Sequence, residues 1–183
     1  MSGSGRARLF VALELPAEVR ERLAAWARGG RREGGGVRVL ATEAQHLTLC
    51  FLGSRPAAEI DEIAEAVLAC AAPAGELSIG APLWLPPRHP RILAVEIHDD
   101  GGELAPLQAA CAAAIEQTID WEADRRAFRP HVTVARLRAD AAPRDRTLPP
   151  TPSIGFAAPA LVLFRSWLHP DGAQYEALGR VAL

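Results

Sequence analysis

The chain has 183 residues, of which 49% are hydrophobic and 23% are charged, with a formal net charge of −2 at pH 7. This composition is typical of a globular protein and predicts a single domain over residues 1–183. It excludes a strongly positive surface that would attract long nucleic acids without specificity, and no stretch is apolar for long enough to predict a membrane span.

The predicted elements alternate short strands with three helices. Residues 8–15 form an apolar strand, and a helix follows from Pro16 until Gly29 and Gly30 end it. Residues 34–45 predict a loop around a short strand, and residues 46–53 predict a strand that Gly53 closes. The remaining elements are a helix at 56–71, strands at 77–84 and 91–97, a helix at 104–119, a strand at 128–137, a polar loop at 139–153, and a hairpin at 160–178 that turns at Pro170, Asp171 and Gly172.

Two of these strands carry nearly the same phrase, HLTLCFLG at residues 46–53 and HVTVARLR at residues 131–138. Mixed short strands with few helices predict an α+β fold with antiparallel sheets. The recurrence of the phrase predicts two lobes related by a rough twofold axis.

Side chains two residues apart on a strand share a face and lie about 6.6 Å from each other. The alternation predicts that His46, Thr48 and Cys50 share one face of their strand while Leu47, Leu49 and Phe51 form the core face. In the second phrase His131 and Thr133 share a face, and Val132 and Val134 oppose them. Two imidazoles and two hydroxyls would therefore converge if the strands meet at a cleft.

This set of side chains suits phosphodiester hydrolysis. One imidazole can deprotonate a water and the other can protonate the leaving oxygen, because histidine titrates near neutral pH. The threonine hydroxyls can bind the phosphate oxygens that gather charge in the transition state. A zinc site is the alternative for two histidines, but no third ligand stands at a characteristic spacing, so we expect neither metal nor cofactor.

The residues resemble the 2H phosphoesterase superfamily, and within it the RNA 2′,3′-cyclic phosphodiesterases, also called 2′-5′ RNA ligase-like proteins. The similarity covers RLFVALELP at the start, QHLTLCFLG, PRILAVEI, RAFRPHVTVAR and the closing RSWLHPDGAQYEAL. It implies a bilobal fold of two antiparallel sheets, flanked by helices, around a central cleft. It also implies hydrolysis of RNA or nucleotide 2′,3′-cyclic phosphate ends to 2′-phosphates, with 2′-5′ RNA ligation as the reverse reaction.

The resemblance assigns roles to the paired residues. His46 would be the acid toward the leaving 3′-oxygen and His131 the base that activates water, although the near symmetry allows the two roles to be exchanged. Thr48 and Thr133 would hold the phosphate oxygens.

Two arginines are candidate substrate contacts, Arg136 and Arg126. Arg136 has the wrong parity for the cleft, so it reaches the phosphate only if its strand twists, bulges or ends there, and otherwise forms a salt bridge. Arg126 either steers an RNA end or lies on a solvated face. We interpret Cys50 as a small filler on the cleft side, and Phe128 as a core residue.

Three further expectations follow from the chain as a whole. Cys50, Cys70 and Cys111 lack a CxxC spacing, which indicates reduced thiols and a cytoplasmic protein. We expect a monomer whose partner is an RNA terminus or a cyclic nucleotide. The alternative function is a module that binds a nucleotide or RNA end without turnover, and an alternative substrate is a 2′-5′ linked oligonucleotide or a cyclic phosphate on ADP-ribose.

Overall fold

An antiparallel sheet carries the fold in the computed structural model, which describes residues 5–29, 36–138, 146–169 and 172–183. Within these residues nine strands form one hydrogen-bonded sheet, in the order β7-β4-β5-β6-β3-β1-β8-β9, with β2 paired to β6. The strands are β1 (Arg6–Glu14), β2 (Val37–Val39), β3 (His46–Pro56), β4 (Glu76–Leu85), β5 (Ile92–Asp99), β6 (His131–Leu137), β7 (Gly155–Ala157), β8 (Ala160–His169) and β9 (Gly172–Ala182).

The sheet consists of two halves that meet at one pair of residues. The β1 half contains β1, β3, β8 and β9, and the β5 half contains β2, β4, β5, β6 and β7. Between them, β3 and β6 pair at Leu47 and Val132. The α+β class with antiparallel strands is confirmed, and the two predicted sheets are the halves of one continuous sheet.

Three helices pack on the sheet, and two of them contact the half opposite to the strand that they follow in sequence. They are α1 (Ala17–Gly29), α2 (Ile60–Leu68) and α3 (Leu104–Thr118). Helix α1 follows β1 in sequence but contacts β2 and β6 of the other half, whereas α3 follows β5 but contacts β3. Helix α2 packs on α3, β8 and β9. This exchange agrees with the rough twofold relation predicted from the repeated phrase.

The first turn of α3 is held by a carboxylate. Asp99, at the end of β5, accepts hydrogen bonds from the backbone N–H groups of Gly102 at 2.9 Å and Leu104 at 2.8 Å. These bonds satisfy backbone donors that the start of a helix leaves without an internal partner. No helix among the described residues is long and apolar enough to cross a membrane.

Some predicted boundaries were wrong. Strand β3 does not end at Gly53 but continues to Pro56, because Gly53 adopts a φ of 72° and accommodates a shift of register against β1. Strand β6 begins at His131 rather than at residue 128, and β7 was not predicted. The predicted hairpin of β8 and β9 is confirmed, while Pro170 and Asp171 of its turn, and residues 139–145 of the predicted loop, lie outside the described residues.

Candidate active site

The two repeated phrases lie side by side where the halves of the sheet meet. Leu47 and Val132 are 1% and 0% exposed on the core side of this junction. Alternation along the strands therefore sends the four neighbouring polar side chains to the opposite face. There they line one cavity of about 360 Å³, whose residues include His46, Thr48, His131 and Thr133. The structure thus brings together both histidines and both threonines singled out in the sequence.

Both imidazoles form a hydrogen bond with the backbone two residues earlier in the chain. Nδ1 of His131 lies 2.8 Å from the carbonyl oxygen of Arg129, two residues earlier in the chain. His46 forms a backbone hydrogen bond with Ala44, which is also two residues earlier. A carbonyl accepts only, so Nδ1 of His131 carries the hydrogen and the neutral ring keeps Nε2 free to exchange a proton.

The surroundings of His46 are aromatic. Its ring stacks on Phe10 at a centroid distance of 4.7 Å, meets Tyr175 edge-on at 5.0 Å, and lies 6.0 Å from Phe164. Burial lowers the pKa of His46 from 6.5 to about 4, and the positive charge of Arg136 acts in the same direction. His46 is therefore neutral at pH 7.

An extra residue in β3 reverses the predicted faces of Cys50 and Phe51. The register against β1 shifts between Val11, which pairs with Cys50, and Ala12, which pairs with Thr48. Leu49 is the extra residue, so Leu49 and Cys50 are both buried. Phe51, which was predicted for the core, is 50% exposed and lines the cavity.

Cys50 was predicted on the cleft side, and this prediction was wrong. Its sulfur points into the core beside α3, 3.9 Å from the carbonyl oxygen of Gln108. Burial raises the pKa of the Cys50 thiol to about 12, which keeps it protonated at neutral pH. All three cysteines have free thiols.

A matching extra residue in β6 brings Arg136 to the cavity. Here the register against β5 shifts between Leu93, which pairs with Ala135, and Ala94, which pairs with Thr133. Val134 is the extra residue, and Val134 and Ala135 are both fully buried. Strict alternation would have placed Arg136 on the face opposite His131, and this bulge returns it to the same face. Arg136 therefore lines the cavity.

Two further arginines, Arg8 and Arg38, line the same cavity, and sequence reasoning missed both. Arg38 is the ladder partner of Arg136 in β2, and the Arg8 guanidinium lies 4.7 Å from the centre of the Phe51 ring. No carboxylate occurs among the described residues that line the cavity. The cavity is therefore suited to an anion.

Other residues considered from the sequence lie elsewhere. Arg126 does not line the cavity, and its guanidinium forms an ion pair with Asp124. Arg129 pairs with Glu96 at 2.7 Å. Phe128 is partly buried and packs against the core, as was expected for a core residue. Among the described residues no group of three or more His, Cys, Asp or Glu side chains is arranged to hold a metal ion.

Comparison with known proteins identifies relatives over most of the chain. Residues 15–165 match the family model described as the 2′-5′ RNA ligase superfamily. A Thermus thermophilus protein named RNA 2′,3′-cyclic phosphodiesterase is 29% identical over 184 residues, which cover 96% of this chain and 90% of that protein. A Geobacillus stearothermophilus protein of the same name is 28% identical over 165 residues, which cover 76% of this chain and 51% of that protein.

Solved structures share the fold over almost the full length. The protein TT0787 of Thermus thermophilus superposes with a TM-score of 0.81 at 28% identity, covering 96% of this chain and 97% of that one. LigT of E. coli, crystallised with 3′-AMP, superposes with a TM-score of 0.82 at 27% identity, covering 98% of this chain and 99% of that one. The bilobal fold that the resemblance implied is thereby confirmed.

Proposed function

The chain belongs to the 2′-5′ RNA ligase superfamily and is a 2H phosphoesterase, and from this membership we propose that it hydrolyses 2′,3′-cyclic phosphate ends of RNA or nucleotides to 2′-phosphates. One observation carries the proposal: the two His–Thr pairs flank the Leu47–Val132 contact and line a single cavity. The relatives named RNA 2′,3′-cyclic phosphodiesterase support the same activity.

The proposed reaction needs one proton acceptor and one proton donor. Water attacks phosphorus, a new P–O bond forms, and the bond from phosphorus to the 3′-oxygen breaks. One histidine takes the proton of the water, and the other gives a proton to the 3′-oxygen. Acid–base catalysis by each histidine is worth on the order of 10²- to 10⁴-fold in rate.

The remaining polar groups of the cavity would hold the phosphate. We assign Thr48 and Thr133 to its non-bridging oxygens, because hydroxyl donors fixed on strands bind developing negative charge without reorganising. Arg136 lies close enough to act on the pKa of His46, so it would also reach an anion in the same cavity. Phe51, exposed at the cavity wall, offers a surface on which a base can stack.

The same residues support two extensions of this activity. Ligation would use a 5′-hydroxyl in place of water and would leave a 2′-5′ bond, with the same acid and base. A cyclic phosphate on ADP-ribose would need only the phosphate contacts. Each of these reactions changes the substrate and leaves the proposed roles of the four motif residues unchanged.

The alternative is a module that binds an RNA or nucleotide end without turnover. Binding needs donors for the phosphate, but it does not need two imidazoles that are each hydrogen-bonded to the backbone. Measuring affinity and turnover on the same cyclic nucleotide separates the two functions, because a binding module would show the first without the second.

Substitution of the two histidines tests the proposal. His46→Ala and His131→Ala are each expected to lower turnover of a 2′,3′-cyclic nucleotide by at least about 10²-fold, because each removes one proton transfer. His89→Ala is the matched control, since His89 is exposed and does not line the cavity. Full activity in either cavity variant, with an unchanged circular dichroism spectrum, would remove that histidine from the mechanism.

A further inference from the structure

The side chains of β1 alternate between the core and the cleft along the strand. Ala7, Leu9 and Val11 are 2%, 0% and 0% exposed on the core side. The residues between them point to the cleft face, where Arg8 and Phe10 line the cavity. The register shifts against β3 arise from extra residues of β3 and leave this alternation unchanged. Positions along the cavity can therefore be counted on β1.

The cleft face near the proposed reaction carries two rows of residues across neighbouring strands. In the first row Ala12 of β1 pairs with Thr48, which is assigned to the phosphate. Two residues further along β1, Phe10 pairs with Phe51 of β3 and with Phe164 of β8. An aromatic row thus lies next to the position of the cyclic phosphate.

The following row, the mouth row, consists of Ser54, Arg8 and Ser166, with Arg8 paired to both serines. Arg8 and Ser166 line the cavity. The Ser54 hydroxyl accepts a hydrogen bond from Nε of Arg6 at 3.0 Å, which leaves its own hydrogen available for donation. The mouth row therefore contains one guanidinium and two hydroxyls, and all three groups can donate to phosphate oxygens.

The guanidinium of Arg8 is available to an anion. Arg8 is exposed, and within the described part of the chain no ion pair joins it to a carboxylate. Glu14, which shares its face of β1, lies at the other end of the strand and binds Arg180 at 3.0 Å. The recorded contact of the Arg8 guanidinium is with the Phe51 ring, 4.7 Å from the ring centre.

This contact brings the charge of Arg8 towards the position of the cyclic phosphate. The guanidinium lies over Phe51, one row nearer to Thr48, and two residues of an antiparallel strand span about 7 Å. One ribose separates the cyclic phosphate of a terminal nucleotide from its 5′-oxygen. A phosphate on that oxygen would therefore lie in the same cavity, between the aromatic row and the mouth row.

We propose that the mouth row binds the phosphate on the 5′-oxygen of the terminal nucleotide, so that the protein prefers substrates with this phosphate to a nucleoside 2′,3′-cyclic phosphate. The inference rests on the proposed function and specifies its substrate. A 5′-phosphate has two sources, the backbone of an RNA end and the 5′-monophosphate of a free nucleotide. Both present non-bridging oxygens, which match a guanidinium flanked by hydroxyls.

The experiment measures kcat/KM for three substrates that share one reacting end. They are adenosine 2′,3′-cyclic phosphate, its 5′-phosphorylated form, and the dinucleotide ApA with a 2′,3′-cyclic phosphate. The variants are Arg8→Gln and Ser166→Ala. Arg165→Gln is the matched control, because the Arg165 guanidinium also lies over a ring, 3.7 Å from the centre of Trp167, but Arg165 pairs with Leu9 on the opposite face of the sheet.

We expect the wild-type protein to favour both substrates with a 5′-phosphate by about 10-fold, since this is the contribution of a hydrogen bond to a charged group. Arg8→Gln should remove most of this preference, and Ser166→Ala should reduce it by a smaller factor. Arg165→Gln should retain the preference. Arg136→Ala should also retain it, because a contact to the cyclic phosphate lowers kcat/KM for all three substrates alike.

The two substrates with a 5′-phosphate distinguish its source. A preference for the dinucleotide that Arg8→Gln removes identifies the RNA backbone, and the same result with the phosphorylated nucleotide identifies a free 5′-monophosphate. Equal kcat/KM for all three substrates in the wild-type protein would overturn the inference. It would also be overturned by a wild-type preference in Arg8→Gln, or by an equal loss of preference in Arg165→Gln.

A binding measurement separates this inference from the proposed function. Calorimetry compares the affinities for adenosine 2′-phosphate and adenosine 2′,5′-bisphosphate, which need no turnover. We expect the bisphosphate to bind about 10-fold more tightly to the wild-type protein, with a smaller difference in Arg8→Gln. This result without turnover of any substrate would refute the proposed function and support the mouth row. Turnover with equal affinities for the two ligands would refute the mouth row alone.

Discussion

Arg136 faces the cavity through a single structural feature of its strand. The extra residue Val134 shifts the alternation by one position, and Arg136 then shares a face with His131 and Thr133. Arg126, which sequence reasoning ranked beside it, lies on an irregular segment and binds Asp124. The structure separates two arginines that the sequence could not distinguish.

We predict that Arg136→Ala lowers kcat/KM for a cyclic nucleotide by about 10-fold or more, because a hydrogen bond to a charged group contributes roughly 1.5–3 kcal/mol. Arg126→Ala is the matched control and should stay within about twofold, since its exposed ion pair contributes little. The measurement is steady-state kinetics at low salt. Equal losses in the two variants would contradict a specific phosphate contact by Arg136.

Single residues also show where sequence reasoning stops. Strict alternation placed His46, Thr48, His131 and Thr133 on one face, and this holds because all four precede the bulges. It failed at Cys50 and Phe51, which follow Leu49, because a run of apolar residues does not reveal which residue is extra. Arg8 and Arg38 were missed because only long-range strand pairing brings them to the cavity.

At the scale of the elements, the fold depends on the contact between β3 and β6. Each strand pairs mainly within its own half, and Leu47 and Val132 join the halves on the core side. The strand and helix types were predictable, because apolar periodicity and the positions of Gly and Pro mark them. The order of strands in the sheet was not, because pairing between distant segments leaves no local pattern.

We propose that residues 1–183 form one bilobal domain, and the junction offers a test. Leu47→Ala is expected to lower the free energy of unfolding by about 2–5 kcal/mol, since Leu47 is fully buried. Circular dichroism and tryptophan fluorescence should follow one coincident denaturant transition. Leu178→Ala, a partly buried leucine on β9, is the control and should cost less. Two separate transitions would contradict a single domain.

At the scale of the whole molecule, the repeated phrase predicted the twofold plan and the shared cleft. The proposed reaction moves two protons around one phosphorus, and it therefore uses two strands that each carry an imidazole and a hydroxyl. The sequence did not predict how the halves differ. Phe10, Phe164 and Tyr175, whose rings contact His46, come from three strands that are distant in sequence, so no local pattern marks them.

The measurement that tests the central claim most directly is incubation of the wild-type protein with a 2′,3′-cyclic nucleotide in EDTA, with phosphorus NMR of the product. Two histidines and two threonines around one phosphate require no metal ion, so we predict turnover in EDTA and a nucleoside 2′-phosphate. A nucleotide that stays cyclic, a 3′-phosphate product, or activity that disappears with EDTA and returns with a divalent metal would contradict the account.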